Sequence, residues 1–280
     1  MYKCIELNKS FDTLDEMIKA LHHNKSSIIA QKKALLKKAD AISFCVPESI
    51  AKEEGIEKAN EPIQDLSSID EITVLAIINT TNLLDGHMDV HLPGIWKKSL
   101  SENKSIMHLQ EHQMKFDKII SDGDDLKAFA KYYSWIDLGF PYSGKTQALV
   151  FKSKVRKERN EFMFTQYAKG YVREHSVGMN YVKIDLAINN KDYKEEFTVW
   201  EKHIDKIANI EKAEEFGYFW AVSEAKVREG SAVPLGSNWA TPTLDNNKIE
   251  PSKDTQEDNQ PSKDTEKEKE IREFYLSLNK

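Results

Sequence analysis

The chain has 280 residues, 40% of them hydrophobic, and a formal net charge of -6. It is long enough to bury a sizeable core in one large or two small domains, and its acidic balance argues against a general phosphate-binding, nucleic-acid partner. Two cysteines, Cys4 and Cys45, exclude a disulfide framework and fit a reducing compartment. No apolar run reaches membrane-spanning length and the N-terminus lacks a signal-peptide core, so a soluble, cytoplasmic protein with no membrane partner is expected.

Phe11, Leu14, Met17, Ile18 and Leu21 recur at helical spacing and predict a helix over 11–23, capped by Asp12 or Thr13. A second helix is predicted over 26–40, carrying Ile28, Ile29, Leu35 and Leu36, with its lysine run as a solvated face or, as the alternative, a basic docking surface. Residues 46–70 are acidic and broken by Pro47 and Pro62, which reads as a connecting segment. Residues 1–70 thus form an N-terminal helical extension and linker, and the main domain spans 71–244. It opens with a branched, apolar strand from Ile72 to Ile78. A turn at Asp85-Gly86, a second at Pro93-Gly94 and a short helix from Trp96 to Leu100 follow, and then a strand from Ser105 to His112. Further strands are predicted near 116–121, 127–137, 147–155 and 216–229, and helices near 160–169 and 195–209. Strands outnumber helices without alternating with them, which favours an α+β fold around a sheet or closed barrel over a doubly wound one. From 245 to 280 the chain is polar and repeats Pro-Ser-Lys-Asp-Thr at 251 and 261, the composition of a disordered tail. Its end, Glu266 to Leu278, offers a short charged helix that cannot bury itself alone.

The stretch from Tyr171 to Val182 reads as a strand, in which residues two apart share a face. Ser176 and Gly178 fall on the row that continues through Val182, Ile184, Leu186 and Ile188. A hydroxyl beside a residue without a side chain suits a nucleophile, which needs a held oxygen and room for substrate. Serine also needs a base. His175 adjoins Ser176 but faces the other way along a strand and is expected to pack behind it. His112 is the sharper candidate base. Glu229, beside Gly230 in a late strand, is a candidate to orient the imidazole, and Leu235-Gly236-Ser237-Asn238 is a turn whose amides could face an oxyanion. His22, His23 and His203 read as surface or packing residues. His87, His91, His108 and His112 raise the alternative of a metal-dependent hydrolase. The spacing fits poorly, because residues four apart on a strand are separated by roughly 13 Å. No metal and no cofactor are called for.

Four stretches in order carry a resemblance. They are Asp85-Gly86-His87-Met88-Asp89-Val90-His91-Leu92-Pro93-Gly94-Ile95-Trp96-Lys97-Lys98-Ser99-Leu100, Met107-His108-Leu109-Gln110-Glu111-His112, Glu174-His175-Ser176-Val177-Gly178-Met179, and Val227-Arg228-Glu229-Gly230-Ser231-Ala232-Val233 with Gly236-Ser237-Asn238. Together they resemble the prohead proteases of tailed bacteriophages, serine peptidases that mature the viral head. The resemblance covers about 75–242. It implies His112 as base, Ser176 as nucleophile, and a fold related to the herpesvirus assemblins, a small β-barrel wrapped by helices. Assemblins use a second histidine as third member; here the late strand offers Glu229. Implied partners are the major capsid protein, a scaffold protein and a second copy of the chain, inside the assembling prohead in the host cytoplasm. The region after His112 departs from the family pattern, with Gln113-Met114-Lys115-Phe116 in place of Pro-Ile-Gly. A non-catalytic capsid-assembly scaffold is the alternative reading.

Overall fold

A computed structural model describes residues 1–39, 44–45, 65–102 and 105–234. A hairpin of β1 (Tyr2–Cys4) and β2 (Lys9–Phe11) leads into helix α1 (Leu14–His23). Thr13 caps that helix in a reciprocal box: its hydroxyl accepts from the Glu16 amide, and the Glu16 carboxylate accepts from the Thr13 amide. The apolar stripe Met17, Ile18 and Leu21 is buried, as the spacing requires. Helix α2 (Lys25–Ala34) stops earlier than expected. Leu35 turns extended, with ψ 143°, and the chain continues as β3 (Lys37–Ala39) rather than as helix to residue 40. Strand β4 (Phe44–Cys45) follows.

The remaining elements are β5 (Glu71–Thr80), β6 (Asp89–His91), α3 (Lys97–Glu102), β7 (Met107–Gln110), β8 (Ile119–Asp122), β9 (Leu126–Ser134) and β10 (Lys145–Arg156). After them come α4 (Glu161–Ala168), β11 (Glu174–Ile188), α5 (Lys194–His203), α6 (Ile210–Phe216) and β12 (Tyr218–Val233). Three expected boundaries shift. Phe116–Lys118 is a 3₁₀ turn, so the expected 116–121 strand begins only at Ile119. The 195–209 helix ends at His203 and passes into a 3₁₀ turn over Ile204–Lys206. The expected strand through His112 ends at Gln110. The tail from 245, the turn at 235–238 and most of the 46–70 connecting segment lie outside the described residues.

The fold is mixed α+β, but its sheets stay open: among the described residues none closes into the expected barrel. One sheet runs β4-β5-β10-β9. The other runs β3-β11-β12-β7-β8, with β6 pairing alongside β12. The two sheets instead pack face to face and bury their apolar rows between them. At Gly230 of β12 the sheets approach closely, since a Cβ there would stand 2.6 Å from the Phe151 ring and 2.7 Å from Ile78. The core gathers Ile78, Phe151, Val177, Met179 and Trp220, together with Met17, Leu21 and Ile28 from the N-terminal helices. Glu6 fastens the first hairpin to β12, accepting from Trp220 Nε1 at 2.5 Å and from the Tyr218 hydroxyl at 3.0 Å.

Candidate active site

The long antiparallel pair β11 and β12 sets the site. Ser176 lies opposite Ser231, and Gly178 opposite Glu229. Directly paired side chains share a face with Cβ atoms roughly 5 Å apart. The outward face of the pair thus carries two hydroxyls and a carboxylate, and Ser176, Glu229 and Ser231 are all buried. The opposite face carries Gly230, His175 and Ala232 towards the second sheet.

His112 reaches this face by a turn, not by a strand. Gln113 N donates to Gln110 O, and Glu111 and His112 both adopt left-handed backbone, with φ of 52° and 57°. Such φ values are uncommon without glycine and cluster where surrounding contacts impose them. Here the contacts are specific. His112 N donates to Ser231 Oγ at 3.1 Å, Ser231 Oγ donates to Glu229 Oε2 at 2.5 Å, and His112 Nδ1 meets Glu229 Oε1 at 2.7 Å. One carboxylate thereby holds the imidazole and the hydroxyl that fixes the imidazole's backbone. With Nδ1 committed to the carboxylate, Nε2 is the nitrogen left to accept a proton from a hydroxyl. The expectation that His108 and His112 share one strand face is overturned by this turn.

Gly178 makes the carboxylate's path possible. A Cβ at position 178 would lie 1.9 Å from Glu229 Oε1 and 2.7 Å from its Cδ. Gly178→Ala is therefore expected to drive the Glu229 side chain off His112 and Ser231. The cost is about 1–3 kcal/mol for a buried polar group parted from its partners. Urea unfolding checks the loss, and the His112 ring resonance should report the broken contact.

Behind the site, Tyr167 of α4 joins two buried histidines through one hydroxyl, 3.0 Å from His108 Nε2 and 2.9 Å from His175 Nε2. His108 Nδ1 also meets Ser153 Oγ at 2.8 Å. The hydroxyl has one proton, so it donates to one ring and accepts from the other. Burial drives the His175 imidazole down to about 3, and burial with the neighbouring His175 holds His108 well below its ordinary value. His91 sits in a third environment, 3.0 Å from Asn79 Oδ1 and 2.9 Å from the Tyr181 hydroxyl, with burial pushing it down to about 4. The Tyr181 hydroxyl donates to Asp89, which also holds Lys32. Lys32 is thus buried rather than part of a solvated lysine face. The Asp89 carboxyl stays below its usual range because Lys32 and Lys37 outweigh its burial.

The Asp85–His91 stretch serves this second cluster. Asp85 Oδ1 accepts from the amides of His87 and Asp89 and shapes the turn into β6. Strand β6 pairs with β12 at Trp220–Val222, and β7 pairs with it at Glu229–Ala232. That offset is roughly 25 Å along an extended strand. His87, His91, His108 and His112 do not converge, and among the described residues no group of three His, Cys, Asp or Glu side chains is arranged to hold an ion.

Three neutral buried histidines make stability fall in acid. Each takes up a proton near its ordinary value of about 6.5 when unfolded but resists it when folded, so each removes up to ~1.4 kcal/mol per pH unit below 6.5. Asp85 acts in the opposite sense between about 4 and 6, because burial and the nearby Asp89 raise its carboxyl to about 6. The half-buried His203, pushed down to about 4 chiefly by burial, acts with the other histidines, so the net expectation is a stability that falls from pH 7 through 6 to 5, read from urea midpoints at those values. Equal midpoints would refute it.

Ser231 and Tyr167 escape a search confined to nucleophile, base and acid. Ser231 had a signal, since a serine two residues past Glu229 on a strand must share its face. No helix among the described residues is long and apolar enough to cross a membrane. Comparison with known proteins finds no matching family model, no matching curated protein and no matching solved structure.

Proposed function

We propose that this protein is a serine endopeptidase of phage head maturation. Its substrates are the scaffolding part of the major capsid protein, a separate scaffold protein and the peptidase itself. The observation that carries the reading is the His112–Glu229 contact at 2.7 Å, on the sheet face that also bears Ser176. In this reading His112 Nε2 takes the Ser176 proton as Oγ attacks the scissile carbonyl. The tetrahedral intermediate collapses to an acyl-serine, and the proton passes from His112 to the leaving amine. Water, deprotonated by the same nitrogen, then attacks the ester and frees Ser176. Glu229 keeps the reactive nitrogen pointed at the serine and stabilises the imidazolium that forms. The resemblance of the four stretches to prohead protease motifs supplies the substrate class in this reading. Packing the enzyme inside a shell raises the local substrate concentration, so a modest catalyst suffices.

A fluorophosphonate probe tests this directly. Covalent label on Ser176, found by peptide mass spectrometry and abolished by heat unfolding, is the expected result. A folded protein that stays unlabelled, with and without cognate capsid protein, would leave the non-catalytic scaffold as the better reading.

A further inference from the structure

Strand β11 is central only because of a short neighbour. On one side it pairs with β12. On the other, Val177, Gly178 and Met179 pair antiparallel with Ala39, Lys38 and Lys37 of β3. Among the described residues β3 is the strand that covers this edge. Without it, the backbone groups immediately after Ser176 would stand unpaired, the template on which an extended peptide adds as a further strand. A groove of ≈ 370 Å³ adjoins the edge, lined by Leu36, Ser105, Met107, Met114, Asn180 and Arg228. Its walls belong to the site's neighbourhood. Met107 pairs with Glu229, Asn180 lies two residues past Gly178, and Met114 lies two residues past His112. Leu36, the residue entering β3, presents its side chain to the groove and remains 38% exposed.

We infer that residues Leu36–Ala39 occupy the binding track of the substrate, an extended peptide with a large apolar side chain for the methionine-lined groove. This rests on the peptidase reading above. The chain's own segment is a tethered occupant that a substrate must displace. Among the described residues the local hold is three ladder residues, the Asn180 amide donating to Leu35 O at 3.3 Å, and Lys37, 4.0 Å from Asp89 and 5.9 Å from the centre of the Tyr181 ring. The tether is firm, because Lys32 on α2 is buried against Asp89 and Ile28 is buried in the core. A three-residue strand on a strong anchor keeps a high effective concentration at the edge, and a longer competing strand that pairs with more of β11 can displace it. Methionines suit such a groove, since flexible thioether side chains adapt to varied apolar partners.

Lys38→Pro and Ala39→Pro in the full chain test this. In an antiparallel pair alternate residues direct their amides at the neighbour, so one of the two variants removes a donor to β11 and the other does not. The ladder-breaking variant is recognised by faster hydrogen exchange at the β11 residue it opposes, Gly178 for Lys38→Pro or Val177 for Ala39→Pro, with an unchanged urea midpoint showing that the core is intact. In that variant the fluorophosphonate should label Ser176 about tenfold faster, as the competent fraction rises, and KM for an extended peptide should fall with kcat unchanged. Faster exchange with labelling and KM equal to wild type would overturn the strand proposal alone. Absence of label in the wild type and both variants would overturn the peptidase reading and this inference with it.

Discussion

Ser176→Ala should lower single-turnover cleavage of a capsid-protein substrate by on the order of 10⁶, and His112→Ala by nearly as much. The double variant should be no slower than either single one, because a nucleophile and its base act as a unit. The structural ground is that both residues converge on Ser231. Ser176 opposes it in the ladder, and His112 donates its backbone amide to it. Ser176→Ala removes one buried oxygen and should leave the fold unchanged, so its near-ultraviolet circular dichroism is the control. His112→Ala asks more of the turn, since position 112 sits at φ 57°, and a lower urea midpoint is expected with the lost activity. Effects that multiply in the double variant would mean that the two side chains do not act in one step.

Glu229→Gln is the second large effect. Glutamine keeps the shape and can still accept from Ser231, but it removes the charge that favours a protonated imidazole and offers an amide that can select the wrong ring tautomer. The loss should be on the order of 10⁴ in the acylation rate, the scale seen when a triad carboxylate becomes an amide. Fluorophosphonate labelling should slow in parallel, whereas an exposed glutamate such as Glu195 changed to Gln should alter neither. An unchanged rate in Glu229→Gln would reduce the carboxylate to a structural anchor for the turn at 111–112.

The start of β11 was legible without coordinates, because side-chain alternation is a local property of extended backbone, but the expected row through Val182 to Ile188 is broken: the strand bulges after Gly178 and again beside Lys183, and Val182 is exposed. The alternation put Ser176 and Gly178 on one face and His175 on the other, and the observed networks follow that division. The α1 cap was legible for the same reason: Thr13 and Glu16 are three residues apart and satisfy each other within one turn. His112 was harder. Met107 and Leu109 alternating with polar neighbours suggested a continuous strand, and nothing local in Glu111-His112 announces left-handed backbone. The distant Ser231 and Glu229 hold that turn from across the sheet. Lys32 misled for a related reason. Charge in a lysine run predicts solvent, and it is Asp89, fifty-seven residues away, with the His87 carbonyl and Glu6 that make its burial tolerable.

What the sequence determined by itself, then, is what neighbours along the chain decide: helix periods, caps and the strand face on which Ser176 and Gly178 sit. The tertiary structure decided which histidine meets Glu229 on the sheet face that bears Ser176. It also decided that the sheets stack open instead of closing, and that residues 37–39 leave the helix to flank β11. Those outcomes depend on contacts between segments tens to more than a hundred residues apart, and no local pattern encodes the energy of such contacts.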